Sequence, residues 1–200
     1  MADPEIQVES GCIAFCAGKK LAAGSQSEVA LAVKAALEAD DRRQILVFDA
    51  ATSRPIDFDL RGDVAAILRR LASSASEDNA AREPMPARPG RPKLGVVARE
   101  VTLLPRHWDW LAAQPGGASV TLRKLVEAAR RQQAGGDARR QAQEAAYRFM
   151  SAMTGDAPGF EEATRALFAG DRGTFENLIA AWPDDLRDHI RDLAAKAFST

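Results

Sequence analysis

The chain has 200 residues, a formal net charge of −1 at pH 7, 46% hydrophobic residues and 28% charged residues. This composition suits one or two small globular domains and excludes a wholly disordered or collagen-like chain. No apolar run approaches the roughly 20 residues that span a membrane, and the acidic N-terminus lacks the apolar region of a signal peptide. We therefore expect a cytoplasmic protein with no membrane partner.

Residues 1–72 predict a small N-terminal α+β domain with the element order ββαββα. Residues 12–23 indicate a hairpin that turns at Gly18-Lys19, and Ser25 with Glu28 matches a capping box that starts a helix. A buried strand is expected at 45–49, and apolar and charged residues alternate over 56–61 as in a strand with one wet face. A second helix should cover 63–72. This order is similar to that of the ubiquitin-like β-grasp.

Residues 73–92 are expected to form a linker, because Ser, Pro and charged residues dominate them. At its end, Arg88, Arg91 and Lys93 stand in the run Arg-Pro-Gly-Arg-Pro-Lys. This run resembles a degenerate AT-hook, a short arm whose arginines enter the narrow minor groove of A/T-rich DNA. The resemblance implies that these three side chains bind phosphates or the groove.

Residues 93–134 predict a strand followed by two helices. Val96 to Leu104 is rich in β-branched and apolar residues, and Pro105 suits the first turn of a helix. That helix should end at Pro115-Gly116-Gly117, after which Ser119 is a plausible N-cap for a second helix ending near Arg131. The apolar stripe of the second helix consists of Leu122, Leu125, Val126 and Ala129.

This segment resembles a ribbon-helix-helix module, in which two chains pair their strands into a ribbon that enters the major groove of DNA. The resemblance implies a homodimer. In such ribbons the residues two, four and six before the proline face the bases, and here these are Leu103, Val101 and Arg99. Leucine and valine cannot form the hydrogen bonds that read base edges. The alternative is that Val101 and Leu103 are buried inside the protein or a dimer.

Two tryptophans of the helix predicted to start at Pro105 indicate a contact with a partner. Trp108 and Trp110 are two residues apart and cannot share one helix face, so one of them is expected at an interface. We count Val101, Leu103, Trp108 and Trp110 as candidate interface residues.

Basic residues are concentrated in the middle of the chain. Residues 82–140 contain twelve basic and five acidic side chains, a net charge of +7 that would favour an anionic partner. We predict a DNA-binding regulatory protein, and the alternative is a non-enzymatic interaction or scaffold protein that uses the strand-helix-helix unit for dimerisation. The candidate DNA-contacting residues are Arg88, Arg91, Lys93, Arg99, Arg106, Arg123 and Lys124.

Residues 135–200 predict a C-terminal helical bundle that starts after a break at Gly135-Gly136-Asp137. Four helices are expected, separated by Gly155 to Pro158, by Asp171-Arg172-Gly173 and by Pro183. The aspartates near the start of the last helix suit the helix dipole and are read as structural.

No familiar catalytic or cofactor motif is present in the sequence. The chain lacks a phosphate-binding Gly-rich loop, HExxH, GxSxG and a dinucleotide fingerprint, and its two cysteines and two histidines lack the spacing of a zinc site. We predict no catalytic residue, no cofactor and no metal, although an unrecognised activity stays open.

Two long stretches, REVTLLPRHWDWLAAQPGGASVTLRKLVEAARR and FMSAMTGDAPGFEEATRALFAGD, resemble a bacterial family known as domain of unknown function 2239. The likeness extends over nearly the full chain. It implies no particular activity, so any function must be argued from the residues themselves.

Overall fold

An antiparallel hairpin opens the part of the chain described by the computed structural model, which covers residues 11–42, 44–80 and 99–199. Strands β1 (Cys12–Cys16) and β2 (Lys19–Gly24) are joined by Ala17 and Gly18, which have φ values of 49° and 78°. Two consecutive residues with positive φ give a turn whose twist matches that of the strands. The turn lies one residue before the predicted position, and Gly18 adopts this conformation without a steric penalty.

Helix α1 (Gln26–Ala39) begins with the predicted capping box, which is confirmed. The Glu28 backbone N–H donates to the Ser25 hydroxyl at 3.3 Å, and the Ser25 N–H donates to the Glu28 carboxylate at 2.9 Å. These two bonds satisfy amides that have no partner within the helix.

Strand β3 (Ile45–Asp49) completes a three-stranded antiparallel sheet in the order β2-β1-β3. The outer side of β3 is covered by residues 54–56: the Asp49 N–H donates to the Arg54 carbonyl at 2.8 Å, and the Ile56 N–H donates to the Val47 carbonyl at 2.9 Å. At the opposite side of the sheet, the Lys20 N–H of β2 donates to the Asp185 carboxylate at 2.9 Å.

The predicted strand over residues 56–61 is wrong, because the structure has only an isolated bridge between Phe48 and Pro55 at this position. The Ile56 N–H still bonds to the Val47 carbonyl, but the pairing does not continue past Ile56. Beyond it, Asp59 accepts hydrogen bonds from the backbone N–H and the guanidinium of Arg61, at 3.2 and 2.8 Å, which holds the segment in an irregular conformation. The described residues therefore form an α+β fold with a small sheet and a mostly helical remainder.

Most of the chain after the sheet is helical, as predicted in outline for its C-terminal part. The helices are α2 (Val64–Ala80), α3 (Pro105–Ala112), α4 (Gly117–Met153), α5 (Phe160–Ala169), α6 (Arg172–Ile179) and α7 (Asp184–Ala194), with a 3₁₀ turn at Ala195–Phe198. Helix α2 continues beyond the expected end at residue 72, since no proline or glycine interrupts residues 73–80.

Both faces of the sheet are covered, because side chains alternate along β1. Cys12 and Ala14 pack with Val29 and Val33 of α1, together with Val47 of β3. The opposite face packs against the C-terminal helices, and the buried side chains of this core include Ile13, Phe15, Phe48, Phe149, Met150, Leu167, Phe175, Ile179, Trp182, Leu186 and Ile190.

Phe149 is the aromatic centre of this second core. Its ring lies 5.0 Å from that of Phe15, 5.2 Å from that of Phe48 and 4.6 Å from that of His189. The neighbouring Arg148 donates to the Thr52 carbonyl, which gives α4 a further bond to the turn after β3. The strands and the C-terminal helices thus share one hydrophobic core.

The described residues fall into two compact units. Those within Met1–Asp78 and Gly136–Thr200 form one, and those within Asn79–Gly135 form the other. The sequence boundaries placed 1–72 and 135–200 in separate domains, because a contact such as Phe15 with Phe149 has no local signal in the sequence. We call residues 99–135 the strand-helix-helix segment.

Helix α4 is continuous over 37 residues, so the predicted break at Gly135-Gly136-Asp137 is wrong. Glycine lowers helix stability by about 1 kcal/mol relative to alanine, but it keeps the N–H that the helix needs. Proline would have removed that donor, and none occurs within α4.

His189 gives the fold a specific pH dependence. Its ring packs against Phe15 and Phe149, and its Nε2 atom is buried with no hydrogen-bond partner among the described residues. Burial lowers the pKa of His189 from its ordinary 6.5 and Lys20 lowers it further, whereas Asp192 raises it. The unfolded chain therefore binds the proton more tightly than the folded chain does.

We expect the free energy of unfolding to be fully retained above about pH 6.5 and to fall as the pH decreases below it, by at most about 1.4 kcal/mol per pH unit. Urea unfolding at several pH values between about 5 and 7.5 measures this slope. His189→Phe should flatten it in that window. The carboxyl groups of Glu28, Asp59 and Asp171, whose pKa values are lowered, act only at lower pH. An unchanged slope in the variant would contradict the assignment.

Candidate DNA-contact and dimer interface

The strand-helix-helix segment places the candidate site residues on two helices and the extended chain before them. Helix α3 begins at Pro105 after an extended Leu104, whose carbonyl accepts from the His107 N–H at 2.8 Å. Proline suits this first helical position because its missing N–H would have no partner there. Residues 99–104, the described part of the strand predicted over 96–104, do not form a strand, so the prediction is wrong for these residues. A ribbon needs a strand from a second chain, which one chain cannot supply.

A glycine turn connects α3 to α4. Gly116 and Gly117 have φ values of 89° and 72°. A Cβ on Gly116 would lie 3.2 Å from Cβ and Cγ1 of Val120, so this position needs glycine for both conformation and space. Ser119 lies inside the first turn of α4 rather than at its cap, since the helix starts at Gly117. The N-cap position is Gly116, so the predicted N-cap is wrong by three residues.

Large apolar side chains are exposed along this segment. Ten such side chains are exposed among the described residues of the chain, and six of them lie within residues 101–126. Trp110 is 51% exposed and Trp108 40%, while Leu111, which follows Trp110, is buried. Leu103 is half-buried. We call the six residues the exposed apolar set: Val101, Leu104, Trp108, Trp110, Leu125 and Val126.

The part of α4 that follows the turn exposes its apolar stripe to solvent. Every residue from 123 to 136 is exposed, including Leu125, Val126 and Ala129 of the predicted stripe. An amphipathic helix ordinarily buries such a stripe, and most helix stability in proteins comes from that burial. The exposed stripe is consistent with a missing partner surface.

Four basic side chains accompany the exposed apolar set. Arg99, Arg106, Arg123 and Lys124 are all exposed. Among the described residues, none of them has a carboxylate within 4.0 Å, although Arg123 donates to the Ser119 carbonyl at 3.2 Å. Other arginines do form ion pairs, for example Arg140 with Asp137 at 2.8 Å and Arg191 with Glu176 at 2.7 Å. The described residues of the segment carry six basic and three acidic side chains, a net +3.

Some of the predicted site residues lie in the described part of the chain, and others lie outside it. Arg99, Arg106, Arg123 and Lys124 lie in the strand-helix-helix segment, with Val101, Leu103, Trp108 and Trp110. Arg88, Arg91 and Lys93 lie outside the described residues. The sequence interpretation did not count Leu104, Leu125 and Val126 as interface residues. The stripe containing the last two was visible in the sequence, but the pattern could not tell an interface from a core.

The arrangement offers exposed cations and exposed apolar side chains. No set of three or more His, Cys, Asp or Glu side chains that could hold a metal occurs within the described ranges. A surface cavity of about 250 Å³ lies elsewhere, lined by side chains that include Arg172, Glu176 and Arg191, and His107 does not line it. Across residues 11–42, 44–80 and 99–199, no helix combines the length and apolarity that crossing a membrane requires.

A family model described as "Uncharacterized protein conserved in bacteria (DUF2239)" matches residues 11–194. Searches of curated proteins and of solved structures gave no match. The family match covers the strand-helix-helix segment together with the sheet and the C-terminal helices.

Proposed function

The chain belongs to the bacterial family DUF2239, and we propose that it is a cytoplasmic, DNA-binding regulatory protein that acts as a homodimer. The strand-helix-helix segment of each copy supplies the dimer interface through its exposed apolar set. Its basic side chains bind the phosphate backbone of DNA.

One observation carries the proposal: the segment combines exposed apolar side chains with exposed cations that have no acidic partner among the described residues. Large exposed apolar patches mark association sites in soluble proteins. Cations without partners favour an anionic ligand, because binding replaces water and counterions rather than an existing ion pair. The coexistence of both features within residues 99–126 supports a DNA-binding dimer.

The proposed contacts give affinity more than sequence discrimination. Arg106, Arg123 and Lys124 bind phosphate oxygens, and such contacts fix orientation without reading bases. Arg99 precedes Pro105 by six residues and can donate two hydrogen bonds to a guanine edge if the extended chain enters the major groove. Val101 and Leu103 add apolar contact but no hydrogen bonds. Arg88, Arg91 and Lys93 serve as a further cationic arm in this proposal.

We expect the Arg99→Ala, Arg106→Ala, Arg123→Ala, Lys124→Ala variant to bind duplex DNA more weakly than the wild type at every salt concentration. Each phosphate contact removed should make the slope of log affinity against log salt shallower by about 0.9. Fluorescence anisotropy with random and A/T-rich duplexes, measured between about 50 and 200 mM salt, gives this slope.

The matched control carries Arg42→Ala, Arg54→Ala, Arg172→Ala and Lys196→Ala, which removes the same charges from exposed side chains outside the segment. Equal losses in the two variants would assign DNA binding to net charge alone. If the wild type does not bind either duplex at low salt, the DNA proposal fails.

The second candidate is a non-enzymatic interaction or scaffold protein that uses the segment only for dimerisation. The exposure of Trp108 and Trp110 favours it, because tryptophan is enriched among the residues that dominate binding energy at interfaces. The two candidates differ in one result. A scaffold protein self-associates but shows no salt-dependent DNA binding.

A further inference from the structure

We propose that Gly135 and Gly136 form a hinge in α4, a point at which the helix opens locally. This inference does not depend on DNA binding. The pair lies at the boundary between the two compact units, the first of which resumes at Gly136. It also lies within a continuous helix of 37 residues.

Neither packing nor backbone conformation requires glycine at these positions. A Cβ atom added to Gly135 or Gly136 would meet no atom within 4 Å. Neither residue has a positive φ, in contrast to Gly116 and Gly117 at the start of the same helix. Alanine would therefore fit both positions, and the remaining physical effect of the glycines is to weaken the helix.

The part of α4 just before the pair is not stabilised by packing. Residues 123–136 are all exposed, so tertiary contacts do not support the helix immediately before the pair. Residues 137–139, directly after the pair, are half-buried, and full burial begins at Ala142, Gln143 and Ala145. Gln143 anchors this part by donating to the Leu167 carbonyl of α5 at 3.0 Å. The helix is thus weakest between an exposed stretch and an anchored one.

Local opening at the pair leaves the shared core intact. The exposed apolar set and the four basic side chains all lie before the pair in the chain, and the core residues of α4 all lie after it. Opening at the pair breaks only a few backbone hydrogen bonds of one helix. Local opening of this kind occurs on a time scale that amide exchange measures.

The test is native-state hydrogen exchange on the full chain, comparing the wild type with Gly135→Ala, Gly136→Ala. Amides 135–140 should exchange faster than amides 144–150 in the wild type. Both substitutions together should slow exchange of amides 135–140 by about twentyfold, the combined propensity effect of two glycines. Exchange of amides 144–150 should not change.

The control is Gln132→Ala, Gln133→Ala, which alters neighbouring exposed side chains of the same helix with little change in helix propensity. It should leave exchange of amides 135–140 within about twofold of the wild type. Equal slowing by the control, or wild-type exchange at 135–140 as slow as at 144–150, overturns the hinge. Both pairs are exposed, so folding of the variants is checked by unchanged exchange in β1.

Discussion

Replacing Phe149 with alanine should reduce the free energy of unfolding by about 3–5 kcal/mol, because the substitution removes buried apolar atoms and leaves a cavity. The residue is fully buried, and its ring contacts aromatic rings from β1, β3 and α7. Because these elements share the core, the sheet and the C-terminal helices should lose stability together. Urea unfolding followed by circular dichroism and by tryptophan fluorescence should show this as coincident transitions at a lower midpoint.

The matched control is Phe168→Ala, the same substitution at a side chain that is 48% exposed and contacts Tyr147. It should cost less than about 1.5 kcal/mol, because it creates no buried cavity and removes one exposed aromatic pair. Two separate transitions in the Phe149 variant, with the hairpin unfolding as in the wild type, would contradict a shared core.

Replacing Leu125 and Val126 with aspartate should weaken self-association of the chain by at least about 100-fold. In the proposed dimer both side chains are buried against the second copy, and a carboxylate at either position would lose water without gaining a partner. Analytical ultracentrifugation over a range of concentrations measures the dissociation constant. The variant should remain folded, because both positions are exposed in the single chain.

Leu46→Asp, Val64→Asp provides the matched control, since it changes the same two residue types at exposed positions outside the segment. It should leave the dissociation constant within about threefold of the wild-type value. A wild-type protein that sediments as a monomer at high concentration would exclude the dimer. Equal weakening by both variants would move the interface away from the strand-helix-helix segment.

Local sequence signals predicted the local structure well. The capping box at Ser25 and Glu28 starts α1 as expected, and Pro105 starts α3. The expected third C-terminal helix begins directly after Asp171, which accepts from the Thr174 N–H at 3.0 Å. Each of these features depends on residues within one helical turn, so the neighbouring residues in the sequence are enough to predict it.

Two predictions failed because a pattern has more than one structural meaning. Alternating residues over 56–61 also suit an irregular segment held by Asp59, and the alternation alone could not show that the pairing with β3 stops after Ile56. Gly135 and Gly136 predict a break when read locally, yet a helix tolerates them when its other residues favour helix. Contacts between distant residues, such as Phe48 with Phe149, have no local pattern at all.

The candidate site was predicted in composition but not in exposure. The sequence made Trp108 and Trp110 candidate interface residues because they cannot share one helix face, and both are exposed. It assigned Leu125 and Val126 to a stripe that amphipathic helices usually bury. Only the three-dimensional structure reveals that nothing in the described chain covers this stripe.

The two edges of the sheet affect where another chain could add a strand. An unpaired strand edge is a ready template for pairing with another chain, and proteins commonly block such edges. Here the Lys20 N–H of β2 donates a hydrogen bond to the Asp185 carboxylate, and residues 54–56 cover part of β3. Growth of the sheet by strand addition is therefore disfavoured at these positions of both edges.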